Sequence, residues 1–178
     1  EVVEGVTGEP YIRWLREQIT GPAGLFSVGV GRRLAEGYVK VSCRGAEPEY
    51  YNCFGAGAIH TTVPECAMFG FLFVDSRGIV GQAWLDETRR PQGATFLQGA
   101  YDAVNYCLGW DSLYNRNRIP LGEGAVVKEG GTEQFTSYLL VSPACRLSLA
   151  ISATSDGDVP WLEVLEDIGG DALKLLGK

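Results

Sequence analysis

Hydrophobic and polar residues alternate most regularly toward the C-terminal end of the chain. The stretch 145–153 predicts a strand with one buried face, and its inward positions would be Cys145, Leu147, Leu149 and Ile151. Two earlier stretches, 125–128 and 134–141, have similar β-type patterns. We therefore expect three consecutive strands in this part of the chain.

A nearly continuous apolar run, AMFGFLFV at 67–74, is typical of a central strand that is buried on both faces. It is followed by Asp75-Ser-Arg-Gly78, a tight-turn signature in which glycine can adopt the positive φ that the turn needs. Residues 79–85 would return as the partner strand. The sequence thus predicts a hairpin over 67–85.

The N-terminal part begins with a predicted helix over 10–19, in which Ile12, Leu15 and Ile19 recur at helical spacing. The stretch 25–43 then alternates with a period of two on both sides of a polar turn, which predicts a hairpin. A short strand is expected at 49–54.

Two further helices are predicted later in the chain. Thr95-Phe-Leu-Gln98 has the spacing of a capping box and would start a helix that ends at Gly109. Asp158 would cap a helix through Ile168, and Gly169-Gly170 would break it.

These elements predict an α+β fold in a single domain, residues 1–178. It would be mainly an antiparallel sheet of about five to seven strands, covered by N-terminal, central and C-terminal helices. The element order over 68–176 is similar to the profilin-like and roadblock-like layout. This resemblance concerns the fold alone and transfers no functional residues.

Charge and hydropathy narrow the classes of partner. The chain carries 15 basic and 22 acidic residues, a net charge of -7, which argues against binding to nucleic acid. No apolar stretch approaches the roughly 18 residues of a membrane span, so we expect a soluble, acidic protein. The first residue is Glu1 and the sole methionine is Met68, which fits a processed or a trimmed chain.

The cysteines bear on compartment and on metal binding. There are five, without C-x-x-C spacing, and the only histidine is His60, so neither a metal site nor a cofactor is predicted. Two disulfides with one remaining thiol would fit a secreted or otherwise extracytoplasmic protein. Alternatively, reduced cysteines act as small hydrophobic residues in a cytoplasmic protein.

No catalytic residue is assigned from the sequence. A Cys–His nucleophile pair would have to use His60 with Cys53 or Cys66, and none of the known cysteine-protease signatures surrounds them. The G-x-S-x-G motif of serine hydrolases is missing as well. The loop at 110–118 is a better candidate for a binding surface, because it offers stacking and hydrogen-bonding side chains: Trp110, Tyr114, Asn115, Arg116 and Arg118.

The sequence therefore favours a non-enzymatic binding domain of a secreted or processed protein, whose partner is a protein or a small ligand. One alternative is a small Cys/His-dependent hydrolase or transferase. Another is a structural subunit of a larger assembly. The oligomeric state is left open.

Overall fold

The computed structural model describes residues 2–34, 39–42, 47–51, 57–90, 107–111, 124–154 and 160–176. The chain divides into two compact units, Glu1–Phe69 and Gly70–Lys178, which we call unit 1 and unit 2. Helices and antiparallel strands are present in both, so the predicted α+β class is confirmed. The described strands form three small sheets, whereas the sequence predicted one larger sheet.

Unit 1 begins with helices α1 (Val2–Thr7) and α2 (Tyr11–Leu15), a π-helical segment (Arg16–Thr20) and α3 (Gly21–Ala23). The helix predicted over 10–19 is thereby confirmed. Pro10 precedes α2, and its carbonyl accepts hydrogen bonds from the backbone N–H groups of Arg13 and Trp14. The helical region ends at Gly24, which adopts a left-handed φ of 74°.

Five short strands follow in unit 1: β1 (Gly29–Val30), β2 (Arg32–Arg33), β3 (Val39–Val41), β4 (Glu49–Tyr51) and β5 (Ile59–His60). Strands β2, β3 and β4 pair in that order, and β1 pairs with β5. The strand predicted at 49–54 is confirmed over Glu49–Tyr51 by β4, and residues 52–54 lie outside the described residues. The hairpin predicted over 25–43 is confirmed only as far as β1 and β3 are strands, because β1 pairs with the distant β5. The strand that pairs with β3 is β2, which lies in the predicted polar turn.

The hairpin predicted over 67–85 is wrong. This part of the chain forms two helices, α4 (Val63–Phe71) and α5 (Gln82–Arg89). Short apolar runs fit a buried helix as well as a buried strand, and the run at 67–74 contains a single β-branched residue, Val74. The tight turn itself is confirmed. Gly78 has a φ of 80°, and the Asp75 carboxylate accepts the backbone N–H of Arg77 at 3.2 Å.

The first turn of α4 is tied to the segment before β1. The Glu65 carboxylate accepts the backbone N–H groups of Phe26 at 3.1 Å and Ser27 at 2.8 Å. In return, the Ser27 hydroxyl accepts the backbone N–H of Thr62 at 3.2 Å. Thr62 and Glu65 have the spacing of a capping box, but here Glu65 reaches a neighbouring segment rather than the Thr62 N–H.

Unit 2 contains a three-stranded antiparallel sheet in the order β6 (Val126–Gly131), β7 (Phe135–Ser142) and β8 (Leu147–Thr154). The three predicted strands are confirmed. Cys145 was predicted to face inward on the last strand, but it lies in the turn before β8 and is half-buried. The central strand β7 supplies Tyr138 and Leu140 to the core, whose other members are Ala125, Val127 and Leu165, with Leu147, Leu149, Ile151 and Leu173 partly buried around them.

Helix α6 (Trp161–Leu176) packs on this core. The break predicted at Gly169-Gly170 is wrong, because the helix continues through both glycines. Gly169 is buried, and a Cβ atom there would lie 2.7 Å from Cε1 of Tyr138. The absence of a side chain at Gly169 therefore lets the helix backbone approach the Tyr138 ring, which offsets the low helix propensity of glycine.

The helix predicted from Thr95 to Leu108 falls largely outside the described residues, as does its capping box. Its last two positions, Cys107 and Leu108, are not helical. Gly109 has a φ of 82°, so the chain does turn at this glycine. The predicted cap at Asp158 also lies outside the described residues.

Candidate functional site

Among the described strands of unit 2, β6 lies at an edge of the sheet, and Asp111 covers part of that edge. The backbone N–H of Asp111 donates to the carbonyl of Val127 at 2.9 Å. Its carboxylate Oδ2 accepts the backbone N–H of Glu129 at 2.7 Å. A single residue thus satisfies two outward-pointing polar groups that a further strand would otherwise satisfy.

The same carboxylate holds the side chain of Lys128. The Nζ atom of Lys128 lies 2.6 Å from Oδ2 of Asp111, with the two side chains 47% and 30% exposed. Nζ also donates to the carbonyl oxygen of Glu129. An ammonium has three N–H donors, and two are used by these described groups. Lys128 is therefore an oriented, solvent-accessible cation with capacity for a further oxygen acceptor.

Beyond Asp111, the edge of β6 continues through two glycines. Because polar groups of alternate residues point to the same edge, Gly131 has the outward orientation of Val127 and Glu129. A Cβ atom at Gly131 would meet nothing within 4 Å, whereas one at Gly130 would lie 2.6 Å from the Ser137 hydroxyl. Both glycines are exposed among the described residues.

Trp110 anchors the segment that carries Asp111. Its indole is 4% exposed and meets the Phe73 ring edge-on, with the centroids 4.9 Å apart. Its carbonyl accepts the backbone N–H of Cys107 at 3.1 Å. Packing in unit 2 thus fixes the position of the carboxylate that holds Lys128.

Comparison with known proteins identifies the family of the chain. A family model described as beta-lactamase matches residues 1–167. The chain belongs to the beta-lactamase family. Among solved structures, a D-stereospecific amidohydrolase from Streptomyces sp. is similar in fold, with a TM-score of 0.60 and 23% sequence identity. The match covers 93% of this chain and 50% of the amidohydrolase, so the chain spans about half the length of that protein. No curated protein matches the chain.

Membership of the beta-lactamase family overturns the predicted non-enzymatic binding domain, because the family match points to a hydrolase. It also replaces the profilin-like and roadblock-like analogy. That analogy depended on a hairpin at 67–85 that is in fact helical.

Class A β-lactamases and penicillin-binding proteins are marked by three motifs, S-x-x-K, S-D-N and K-T-G. Lys128-Glu129-Gly130 on β6 fits Lys-x-Gly, with glutamate where the motif has threonine. Neither S-x-x-K nor S-D-N occurs in the 178 residues. Our sequence reasoning missed Lys128, since it assigned 125–128 only as a strand. The Lys-x-Gly triplet at the end of that strand was the available signal.

The structure describes one of the five predicted binding residues, Trp110. Trp110 is buried, so its ring contributes to packing rather than to an open surface. Tyr114, Asn115, Arg116 and Arg118 lie outside the described residues. Binding by this loop stays a prediction.

The weak catalytic candidates are not joined by the described structure. His60 lies on β5 and Cys66 on α4, and none of the hydrogen bonds found between described residues connects them. Burial raises the pKa of the Cys66 thiol, which favours the unreactive protonated form at neutral pH. Cys53 lies outside the described residues.

No disulfide is found among the described cysteines, Cys66, Cys107 and Cys145. Cys43 and Cys53 lie outside the described residues, so the expected disulfide pairing stays a prediction. Among the described residues, no group of three or more histidine, cysteine or acidic side chains could hold a metal ion. No helix in the described part of the chain has the length and apolarity needed to cross a membrane.

Proposed function

We propose that this chain contributes to a hydrolase that cleaves amide or ester bonds by acyl transfer, with the open end of β6 forming one wall of the active site. The observation that carries the proposal is the match to the beta-lactamase family over residues 1–167, together with the oriented Lys128 on β6. The similar amidohydrolase supports the same reaction class.

The role of Lys128 follows from its charge and position. Acyl transfer develops negative charge on the former carbonyl oxygen, and a cation already held in place stabilises that charge without reorganisation. The Asp111 carboxylate, at 2.6 Å, fixes the ammonium. With the third N–H of Lys128 pointing to substrate, the side chain would either support the oxyanion or hold an acidic group of the substrate.

The strand edge gives a further restriction on substrate shape. A peptide-like acyl donor in an extended conformation can hydrogen-bond to an exposed strand edge. Asp111 already occupies the groups of Val127 and Glu129, which leaves the end of the strand near Gly131 for such a contact. We therefore expect substrates with an amide backbone to be preferred over simple alkyl esters.

No residue of this chain is assigned as the nucleophile. A covalent acyl intermediate requires an activated hydroxyl or thiol. Acylation of the native protein with a fluorophosphonate or a β-lactam, followed by peptide mass spectrometry, would locate the modified residue directly. The proposal expects a serine adduct.

The decisive experiment compares Lys128→Gln with Lys174→Gln in the native protein, using p-nitroanilides of D- and L-amino acids, p-nitrophenyl esters and a chromogenic cephalosporin. Lys174 is a matched control, because it is also an exposed lysine paired with an aspartate, Asp171, at 2.8 Å. Loss of an oriented charge at a developing oxyanion typically reduces kcat by about 10²–10³-fold.

We expect a loss of this size for Lys128→Gln and wild-type rates for Lys174→Gln. The proposal fails if the native protein hydrolyses none of these substrates. It also fails if both variants retain full activity.

A further inference from the structure

A groove within unit 1 is lined by two basic residues, and none of its lining residues belongs to strand β6. It has a volume of about 440 Å³, which is in the range of sites for small ligands. Six residues line it: Val30, Gly31, Arg32, Lys40, Ser42 and His60. None of the six is acidic, although the chain as a whole has a net charge of -7.

The two cations of the groove lie directly opposite each other on neighbouring strands. Arg32 of β2 is the register partner of Lys40 of β3. Like charges in directly opposed positions destabilise a strand pair. Within the described residues, neither side chain forms an ion pair with a carboxylate. The two like charges repel each other, and an anion between them would relieve that repulsion.

Lys40 is also positioned from its other side. Tyr50 of β4 is its register partner, and Nζ of Lys40 lies 5.8 Å from the centroid of the Tyr50 ring. A cation at this distance from an aromatic ring is attracted by the ring quadrupole. The contact holds the ammonium over the sheet without neutralising its charge.

The groove also contains hydrogen-bonding groups besides the two cations. Nδ1 of His60 is buried and has no hydrogen-bond partner among the described residues. Buried polar atoms are normally paired, so an unpaired one indicates a ligand or a water molecule. The imidazole packs against Gly29, where a Cβ atom would lie 2.4 Å from Nε2, and this close approach fixes the ring. Ser42 adds an exposed hydroxyl.

We propose that this groove binds the oxyanion of a small ligand, a carboxylate or a phosphate, between Arg32 and Lys40. The guanidinium offers paired N–H donors in a planar fork, and the ammonium adds a point charge. Ser42 supplies a further hydrogen bond, and the His60 ring lies in the wall of the groove beside it. This site stands independently of the proposed hydrolase activity, because it depends on none of the β6 residues.

The lone histidine of the chain makes the test direct, since its imidazole gives a single set of NMR signals. Inorganic phosphate and acetate are titrated separately into the native protein at constant ionic strength, and the His60 ring signals are followed. We expect a saturable shift with one of the two anions. Tighter binding of phosphate identifies a phosphate ligand, and tighter binding of acetate identifies a carboxylate.

The variants assign the shift to the groove. Arg32→Gln/Lys40→Gln should weaken binding by at least about tenfold, since it removes both charges. Arg77→Gln, which removes a basic side chain outside the groove, should bind as the wild type does. Ser42→Ala retains both cations and should weaken binding by roughly threefold. It serves as the test if the double variant does not fold.

The proposal is overturned if neither anion produces a saturable shift in the wild type. It is also overturned if the double variant, or Ser42→Ala in its place, binds with wild-type affinity.

Discussion

Replacing each of the two adjacent glycines of α6 by alanine tests how closely this helix packs on the unit 2 sheet. In an open helical position, alanine is favoured over glycine by about 1 kcal/mol. A Cβ atom at Gly170 would meet nothing within 4 Å. We therefore expect Gly170→Ala to increase the free energy of unfolding by about 0.5–1 kcal/mol.

Gly169→Ala adds the same methyl group to the same helix, but the sign of the effect should reverse. The new Cβ would lie 2.7 Å from Cε1 and 3.3 Å from Cζ of Tyr138. Tyr138 is 2% exposed and packed in the core, so its ring has little room to move. Overpacking of a core costs about 1–3 kcal/mol, which exceeds the gain in helix propensity. A contact this short against a confined ring belongs in the upper part of that range, about 2–3 kcal/mol. We therefore expect a net loss of about 1–2 kcal/mol after the roughly 1 kcal/mol of propensity is subtracted.

The assay is urea denaturation of the wild type and both variants, followed by circular dichroism at 222 nm and by tryptophan fluorescence. Thermal denaturation gives an independent comparison, since 1 kcal/mol corresponds to a Tm change of about 2–4 °C in a protein of this size. Our account of the α6 packing would be refuted if Gly169→Ala stabilised the protein as much as Gly170→Ala.

Three further predictions concern pH and packing. Burial raises the pKa of Tyr138, with added contributions from the Glu166 and Glu129 carboxylates. Tyr138 therefore ionises first in the unfolded chain, and the stability should fall as the pH rises above about 10. Tyr138→Phe should reduce that fall in denaturant midpoints measured from about pH 8 to 11. Hydrogen bonds from Ser27 lower the pKa of Glu65, whose contribution is present at neutral pH and lost as pH falls through its folded pKa. Glu65→Gln should therefore lower stability at pH 7 and flatten the acid limb of the stability profile, and an unchanged limb would contradict the assignment. Gly70→Ala should lower the free energy of unfolding by about 1–3 kcal/mol, as measured by thermal denaturation. The added Cβ atom would lie 2.8 Å from Cδ1 of Leu139, which is buried.

The strands of unit 2 could be predicted from the sequence because their pattern is strictly local. Between Phe135 and Thr154, alternate residues face α6, and the residues that do so are apolar at Tyr138, Leu140, Leu149 and Ile151. A helical interpretation of this stretch would place these residues on several faces. The alternation of apolar and polar residues is therefore enough to predict these strands, without knowledge of the elements that pack against them.

Residues 67–85 could not be assigned by periodicity alone. The apolar run is about as long as a strand, and its uniform hydrophobicity gives no face. The more informative signals lay just before it, where Thr62 and Glu65 have the spacing of a capping box and Pro64 suits a first helical turn. In the next segment, Gln82 and Arg89 each bond to Asp86, at 2.9 and 2.6 Å, which is a helical pattern of side-chain pairs.

The candidate site could not be predicted because tertiary structure creates it. Asp111 and Lys128 are distant in sequence, and they meet only because Trp110 is buried and the backbone of Asp111 pairs with β6. His60 and the two groove cations likewise come from three different strands. Local patterns assign strands, but they do not tell which strand edge or which face a distant side chain will reach.

The hydrogen bonds of Asp111 link the position of the Lys128 ammonium to the hydrogen bonding of the β6 edge. One carboxylate oxygen receives both the ammonium of Lys128 and the main-chain amide of Glu129. A substitution that changes the charge of Asp111 also changes its hydrogen bond to the Glu129 N–H at the edge of the sheet. Asparagine is the replacement that could uncouple them, since its amide oxygen can still accept from the main chain while carrying no formal charge. Substitutions of Asp111 should therefore change the position of the Lys128 ammonium and the hydrogen bonding of the strand edge together, and asparagine should separate the two effects.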